Sequence, residues 1–183
     1  MNATLVMKAG DQPRILVIQS NRAYLGVVAR RLKEFGYRVI TAETAAAGLG
    51  EMYRGPAHLV LCDVSLTGTS GVEFARMVRH DPVHHDVPLL FFVGRSDPSA
   101  AVRAFEAGAD GVIRKPCHFE MLDACIARQL ARADAVKRLV SDNATLDARV
   151  ISRVIELRDV RDQLCAAEAE RRRLAAIVEG QAA

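Results

Sequence analysis

The 183-residue sequence predicts an α/β fold: a parallel sheet of five strands covered by helices on both faces, followed by a long C-terminal helical extension. Three observations carry this reading. Short apolar runs alternate with amphipathic helical stretches through the first two-thirds of the chain. Those runs are continuously apolar, as strands buried on both faces are, and do not alternate in polarity. Finally, all six prolines lie at or before Pro116 and every glycine except Gly180 lies at or before Gly111. From about residue 119 to 179, only Ser141-Asp142-Asn143 could interrupt a helix.

The elements follow in order. Ile15 to Ile18 forms a short buried strand, and Tyr24, Leu25, Val28 and Leu32 then recur at helical spacing until Gly36 stops the helix. Arg38 to Thr41 is the second strand, followed by a helix from about Thr44 to Tyr53. Leu59 to Cys62 is the third strand, then a helix from about Val72 to Arg79. Leu89 to Val93 is the fourth strand, Ser99 to Ala107 a helix, Gly111 to Ile113 the fifth strand, and a last helix starts near His118. The expected organisation is an N-terminal tail over 1–13, a domain over 14–131 and a helical extension over 132–183.

Composition excludes several classes. The apolar run Val87 to Val93 contains Pro88 and spans far fewer than the about 20 residues a membrane helix needs. Met1 to Pro13 lacks the apolar block of a secretory signal, so the expected location is cytoplasmic. Cys62, Cys117, Cys125 and Cys165 form no CxxC pair and read as small buried hydrophobes, with neither zinc nor disulfides indicated. His80 to Asp86 is rich in metal-ligating types but falls between a helix and a strand, where it reads as a solvated turn. Arg171-Arg172-Arg173 lies beside Glu168 and Glu170 and reads as a solvated helix face. A net charge of +3, with the helical extension near balance, argues against a nucleic-acid partner.

In an open parallel sheet the functional crevice lies at the carboxyl ends of the strands, which selects Gln19, Ser20, Asp63, Val93, Gly94 and Lys115. Around these positions stand Leu59-Val60-Leu61-Cys62-Asp63, Gly68 and Gly71 in the following loop, Val87-Pro88-Leu89-Leu90, Ala107-Gly108-Ala109-Asp110-Gly111 and Lys115-Pro116. In order and spacing these segments resemble the receiver domain of bacterial response regulators over roughly residues 14 to 130. The resemblance implies a flavodoxin-like (βα)5 fold, with Asp63 in the place of the aspartate that accepts a phosphoryl group from a histidine kinase. Lys115 matches the lysine that, with Mg²⁺, neutralises the transition-state charge.

The sequence departs from that pattern at three points. The family places two adjacent acids after the first strand, where this chain has Gln19 and Ser20. Mg²⁺ relies on carboxylates, so its binding is expected to be weak or absent and no cofactor or metal site is expected. Gln19 and Ser20 could offer neutral oxygens only. Val93 replaces the hydroxyl residue ending the fourth strand, and Val112 replaces the aromatic residue three positions before the lysine. These departures point to a pseudo-receiver in which Asp63 and Lys115, alone together, form a 1:1 ion pair.

In the extension, Val136, Asn143, Val150, Leu157, Leu164, Arg171 and Val178 recur every seven residues, as do Leu139, Leu146, Arg153, Val160, Ala167 and Leu174. Only Asn143, Arg153 and Arg171 interrupt these a and d positions, which predicts a coiled-coil homodimer. Broad apolar surface from Val150 to Leu157 also fits a four-helix bundle, and a break at Ser141 to Asn143 would give a folded-back hairpin instead. The resulting expectation is a non-enzymatic two-component adaptor that binds a histidine kinase or an output protein without needing phosphorylation. The alternative is a working phosphoacceptor, phosphorylated on Asp63 by a histidine kinase.

Overall fold

The computed structural model describes residues 12–95 and 97–181, with side chains in the last helix described as far as Arg173. The order is β1 (Arg14–Ile18), α1 (Arg22–Glu34), β2 (Arg38–Ala42), α2 (Ala45–Arg54), β3 (Leu59–Asp63), α3 (Gly71–His80), β4 (Leu89–Val93), α4 (Ala100–Glu106), β5 (Gly111–Arg114) and α5 (Phe119–Gln181). The five strands are parallel in the order β2-β1-β3-β4-β5. The expected fold class is therefore observed.

Alternate strand residues feed two cores. Leu16, Ile18, Val60, Cys62, Leu89, Phe91 and Val93 point to one face, where they pack with Phe74 and Val78 of α3 and alanines of α2 and α4. Ile15, Val17, Leu59, Leu61, Leu90, Phe92 and Ile113 point to the other, against Leu25, Val28 and Leu32 of α1 and Leu122, Ile126 and Leu130 of α5. Both faces of β3 and β4 are buried, which is why their sequences are continuously apolar.

Caps set the helix starts beside the crevice. Asn21 and Thr44 accept from backbone N–H groups of α1 and α2, and Ser70 with Glu73 forms a reciprocal capping box on α3. Glu73 is held below its ordinary carboxylate range by those Ser70 hydrogen bonds. At the other end of the sheet, Arg79 of α3 donates to the carbonyls of Gly108, His85 and Val87 at 2.9, 2.7 and 2.9 Å, and to Asp110 Oδ2 at 2.7 Å. Asp110 also accepts from Leu89 N. Gly108 has φ +96°, and a Cβ there would stand 2.8 Å from Arg79 Cγ, so this corner requires glycine.

The chain divides into two compact units, 1–135 and 136–183. The helix α5 runs through Ser141, Asp142 and Asn143 without a break, so the folded-back hairpin is not what forms. Val136, Leu139, Asn143, Leu146, Val150, Leu157, Val160 and Leu164 are all exposed on it. The Leu174 and Val178 side chains and the tail through Asp11 lie outside what is described. Arg172 and Arg173 are solvent-facing and pair with Glu168 and Glu170.

Two expectations need correction. His84 is buried, not solvated: its Nδ1 pairs with Asp81 at 3.0 Å, its Nε2 approaches the Met52 carbonyl at 3.2 Å, and the Tyr53 ring packs edge-on against it. Of the cysteines, only Cys62 is fully buried, Cys117 and Cys125 are half-buried, and Cys165 is exposed on α5. All four are free thiols. No helix among the described residues is long and apolar enough to cross a membrane.

Candidate functional site in the crevice at the strand ends

Asp63 ends β3 at the floor of the crevice with 2 % of its surface exposed. Its position depends on Gly71, the first residue of α3, whose N–H donates to the Val64 carbonyl. A Cβ at Gly71 would lie 2.2 Å from the Asp63 carbonyl oxygen, so only glycine lets α3 start this close to β3. Lys115 follows β5 directly, its N–H bonded to the Val93 carbonyl and its peptide to Pro116 cis. Its ammonium reaches across to Asp63 Oδ2 at 2.5 Å.

The ion pair is therefore present, but it is not alone. Gln19, 3 % exposed at the end of β1, donates from Nε2 to the same Asp63 oxygen at 2.5 Å. Its Oε1 accepts from Asn21 N at 3.1 Å. A carboxylate only accepts and a backbone N–H only donates, so the two contacts fix which way the amide faces. Asp63 Oδ1 accepts from Ser65 N at 3.0 Å. Three donors thus hold the carboxylate, two of them neutral.

Ser20 does not face Asp63. Its hydroxyl donates to the Glu43 carbonyl at 3.1 Å and accepts from Thr67 N at 2.9 Å, tying the loop after β2 to the loop after β3. Neither position turns a free oxygen toward Asp63: Gln19 directs its N–H inward, and the Ser20 oxygen accepts from Thr67 N. Glu43, which directly follows β2, pairs with Arg22.

Val93 is buried at the end of β4 and contributes two methyl groups and no hydroxyl. Val112 lies partly buried on β5 against the core shared with α3 and α4. Tyr24 of α1 is a crevice residue that the sequence pattern presents merely as a helical core position. The Lys115 ammonium sits 5.4 Å from its ring centroid, and its hydroxyl lies 4.0 Å from Cys117 Sγ. Burial first, then the neighbouring Cys117 and the charge of Asp63, push the phenol well above its ordinary value. The Cys117 thiol is also raised, chiefly by burial. Neither group is poised to ionise near neutral pH.

A Mg²⁺ ion, which the resemblance implies, does not fit this donor set. Among the described residues Asp63 is the sole carboxylate at the ends of β1, β3, β4 and β5, and both its oxygens are engaged. Among the described residues no three His, Cys, Asp or Glu side chains group as a metal site. The arrangement balances one negative against one positive charge without an ion.

The model of the response regulator receiver domain matches residues 15–127. Transcriptional regulatory protein AfsQ1 of Streptomyces coelicolor is 30 % identical over 141 residues, covering 77 % of this chain and 60 % of that protein. A probable cyclic di-GMP phosphodiesterase of Vibrio cholerae is 26 % identical over 164 residues, covering 88 % of this chain and 37 % of that one. The chain thus spans between about a third and two-thirds of these relatives. Among solved structures, a putative response regulator from Chloroflexus aurantiacus aligns with TM-score 0.64 and 26 % identity, over 66 % of this chain and 99 % of that one. A CheY-like receiver protein from Methanospirillum hungatei aligns with TM-score 0.63 and 26 % identity, over 68 % and 98 %. With the family model covering β1 through the start of α5, and the crevice built on the same five strand ends, the chain belongs to the response regulator receiver domain family.

Proposed function

We propose that this receiver acts as a protein-interaction adaptor whose state does not depend on phosphorylation, and that it self-associates through α5. The observation that carries the first half is the engagement of both Asp63 oxygens by Lys115, Gln19 and Ser65, with no second carboxylate at the ends of β1, β3, β4 and β5 among the described residues. A carboxylate attacks phosphorus when charge on the transferring group is neutralised, and here the cation site is missing and the Val93 position offers no hydroxyl. Self-association is supported by the apolar a and d side chains exposed along α5 from Val136 to Leu164. Partners in this reading are a second copy of the chain and a histidine kinase or output protein; neither a membrane nor a nucleic acid is required.

A second reading is favoured by one observation: Asp63 and Lys115 occupy the places at which the family carries out phosphoryl transfer. In it, Asp63 is phosphorylated by a histidine kinase. Incubation with a small-molecule phosphodonor and Mg²⁺, followed by intact-mass measurement, separates the two. The adaptor reading expects an unmodified mass, and a phosphoryl adduct that disappears in Asp63→Ala overturns it.

A further inference from the structure

We propose that the Gln19 carboxamide takes the place of a divalent cation at Asp63, so that the side chain at position 19 decides whether the crevice needs a metal. The inference deepens the adaptor reading and rests on it for its biological meaning. Its test is separate, because it reads the magnesium response of the melting midpoint in variants at position 19 and uses no phosphodonor.

The crevice has a simple charge balance. Asp63 contributes one negative charge and Lys115 one positive charge, in contact at 2.5 Å, and Gln19 adds a dipole and no charge. Gln19 is 3 % exposed, so a charge placed there would have almost no water to screen it. Its Nε2 already lies at hydrogen-bond distance from Asp63 Oδ2. A glutamate has the same length and would set a second carboxylate against the first, leaving the pair with one excess negative charge. Like charges in contact are relieved either by a proton or by a cation, and two carboxylate oxygens are what a hard divalent ion uses.

The rest of the site is arranged around the amide. Asn21 N fixes its oxygen, and Asn21 in turn caps α1 by accepting from Tyr24 N at 3.0 Å. Ser20, the neighbouring position, is tied to Glu43 and Thr67, so it does not compete for Asp63. Gln19 is a positioning residue: it holds the Asp63 carboxylate and reacts with nothing.

The experiment compares thermal midpoints of the full wild-type chain, Gln19→Glu, Gln19→Asp and Gln19→Met, each with millimolar MgCl₂ and with NaCl at equal ionic strength. The wild-type midpoint should be the same in both salts. Gln19→Met, which keeps the length and loses the donor, should melt below wild type. Gln19→Glu should melt lower still in NaCl and rise by about 3–8 °C in MgCl₂. If Gln19→Glu is unfolded in NaCl, recovery of its far-UV circular dichroism on adding MgCl₂ supports the inference equally, and Gln19→Asp provides the same readout with a shorter carboxylate. A magnesium-dependent rise in the wild type overturns the inference. So does a Gln19→Met midpoint equal to wild type, or the absence of any magnesium response in both carboxylate variants.

Discussion

Replacing Lys115 by methionine removes the ammonium and keeps the stem. The Asp63 side chain is 2 % exposed against 28 % for Lys115, so the group left without compensation is the buried carboxylate. Deleting one partner of a buried ion pair costs about 3–5 kcal/mol. Two donors remain on Asp63, Gln19 Nε2 and Ser65 N, and hydrogen bonds to a charged group retain about 1.5–3 kcal/mol each. The carboxylate is therefore not orphaned, and the expected loss falls at or below the bottom of that range, about 2–3 kcal/mol. For a domain of this size that lowers the thermal midpoint by about 8–12 °C, which calorimetry on the full chain reads directly. Adding Asp63→Asn to Lys115→Met should raise the midpoint again, because a neutral amide needs no counter-charge. A Lys115→Met midpoint within about 2 °C of wild type, or a double variant no more stable than the single one, refutes the reasoning.

Three other outcomes are expected. Arg79→Met loses the contacts to Gly108, His85, Val87 and Asp110 and should destabilise the first unit by about 2–4 kcal/mol in chemical denaturation, with no change in the mass of the α5 assembly. Asp81 is held well below the ordinary carboxylate range by the Tyr53 hydroxyl, His84 and Val83 N, so its contribution is present above the unfolded value of about 3.9 and is lost as pH falls through the lower folded one. The midpoint gap between wild type and Asp81→Asn should accordingly close as pH falls below about 4; a gap that widens below that pH contradicts this. Leu157→Asp places a charge in the exposed apolar stripe and should convert the assembly to monomer by light scattering while leaving the melting of the first unit unchanged.

The fold was legible because burial dictates composition. β4 runs from Leu89 to Val93, the span expected for the fourth strand, since each of its residues is buried in one of two cores. The crevice positions were legible for a related reason: a parallel sheet brings the ends of β1, β3 and β5 together whatever residues they carry, which placed Gln19, Asp63 and Lys115 side by side. What those side chains do there was not legible. The direction of the Gln19 amide is set jointly by a carboxylate 44 residues away and by Asn21 N, and local pattern contains only the second partner. His84 presents the same difficulty, because its burial depends on Met52 and Tyr53 at the end of α2, 32 and 31 residues earlier in the chain. Tyr24 fits the helical period of α1 so well that its second contact, over the Lys115 ammonium, leaves no trace in spacing.

Self-association that does not depend on phosphorylation is read by light scattering on three samples: the full chain, the full chain after phosphodonor and Mg²⁺, and a chain ending at Ala131. The same dimer mass is expected for the first two and a monomer for the third. A full chain that is monomeric until phosphodonor is added, or a dimer that persists without residues 132–183, would contradict it.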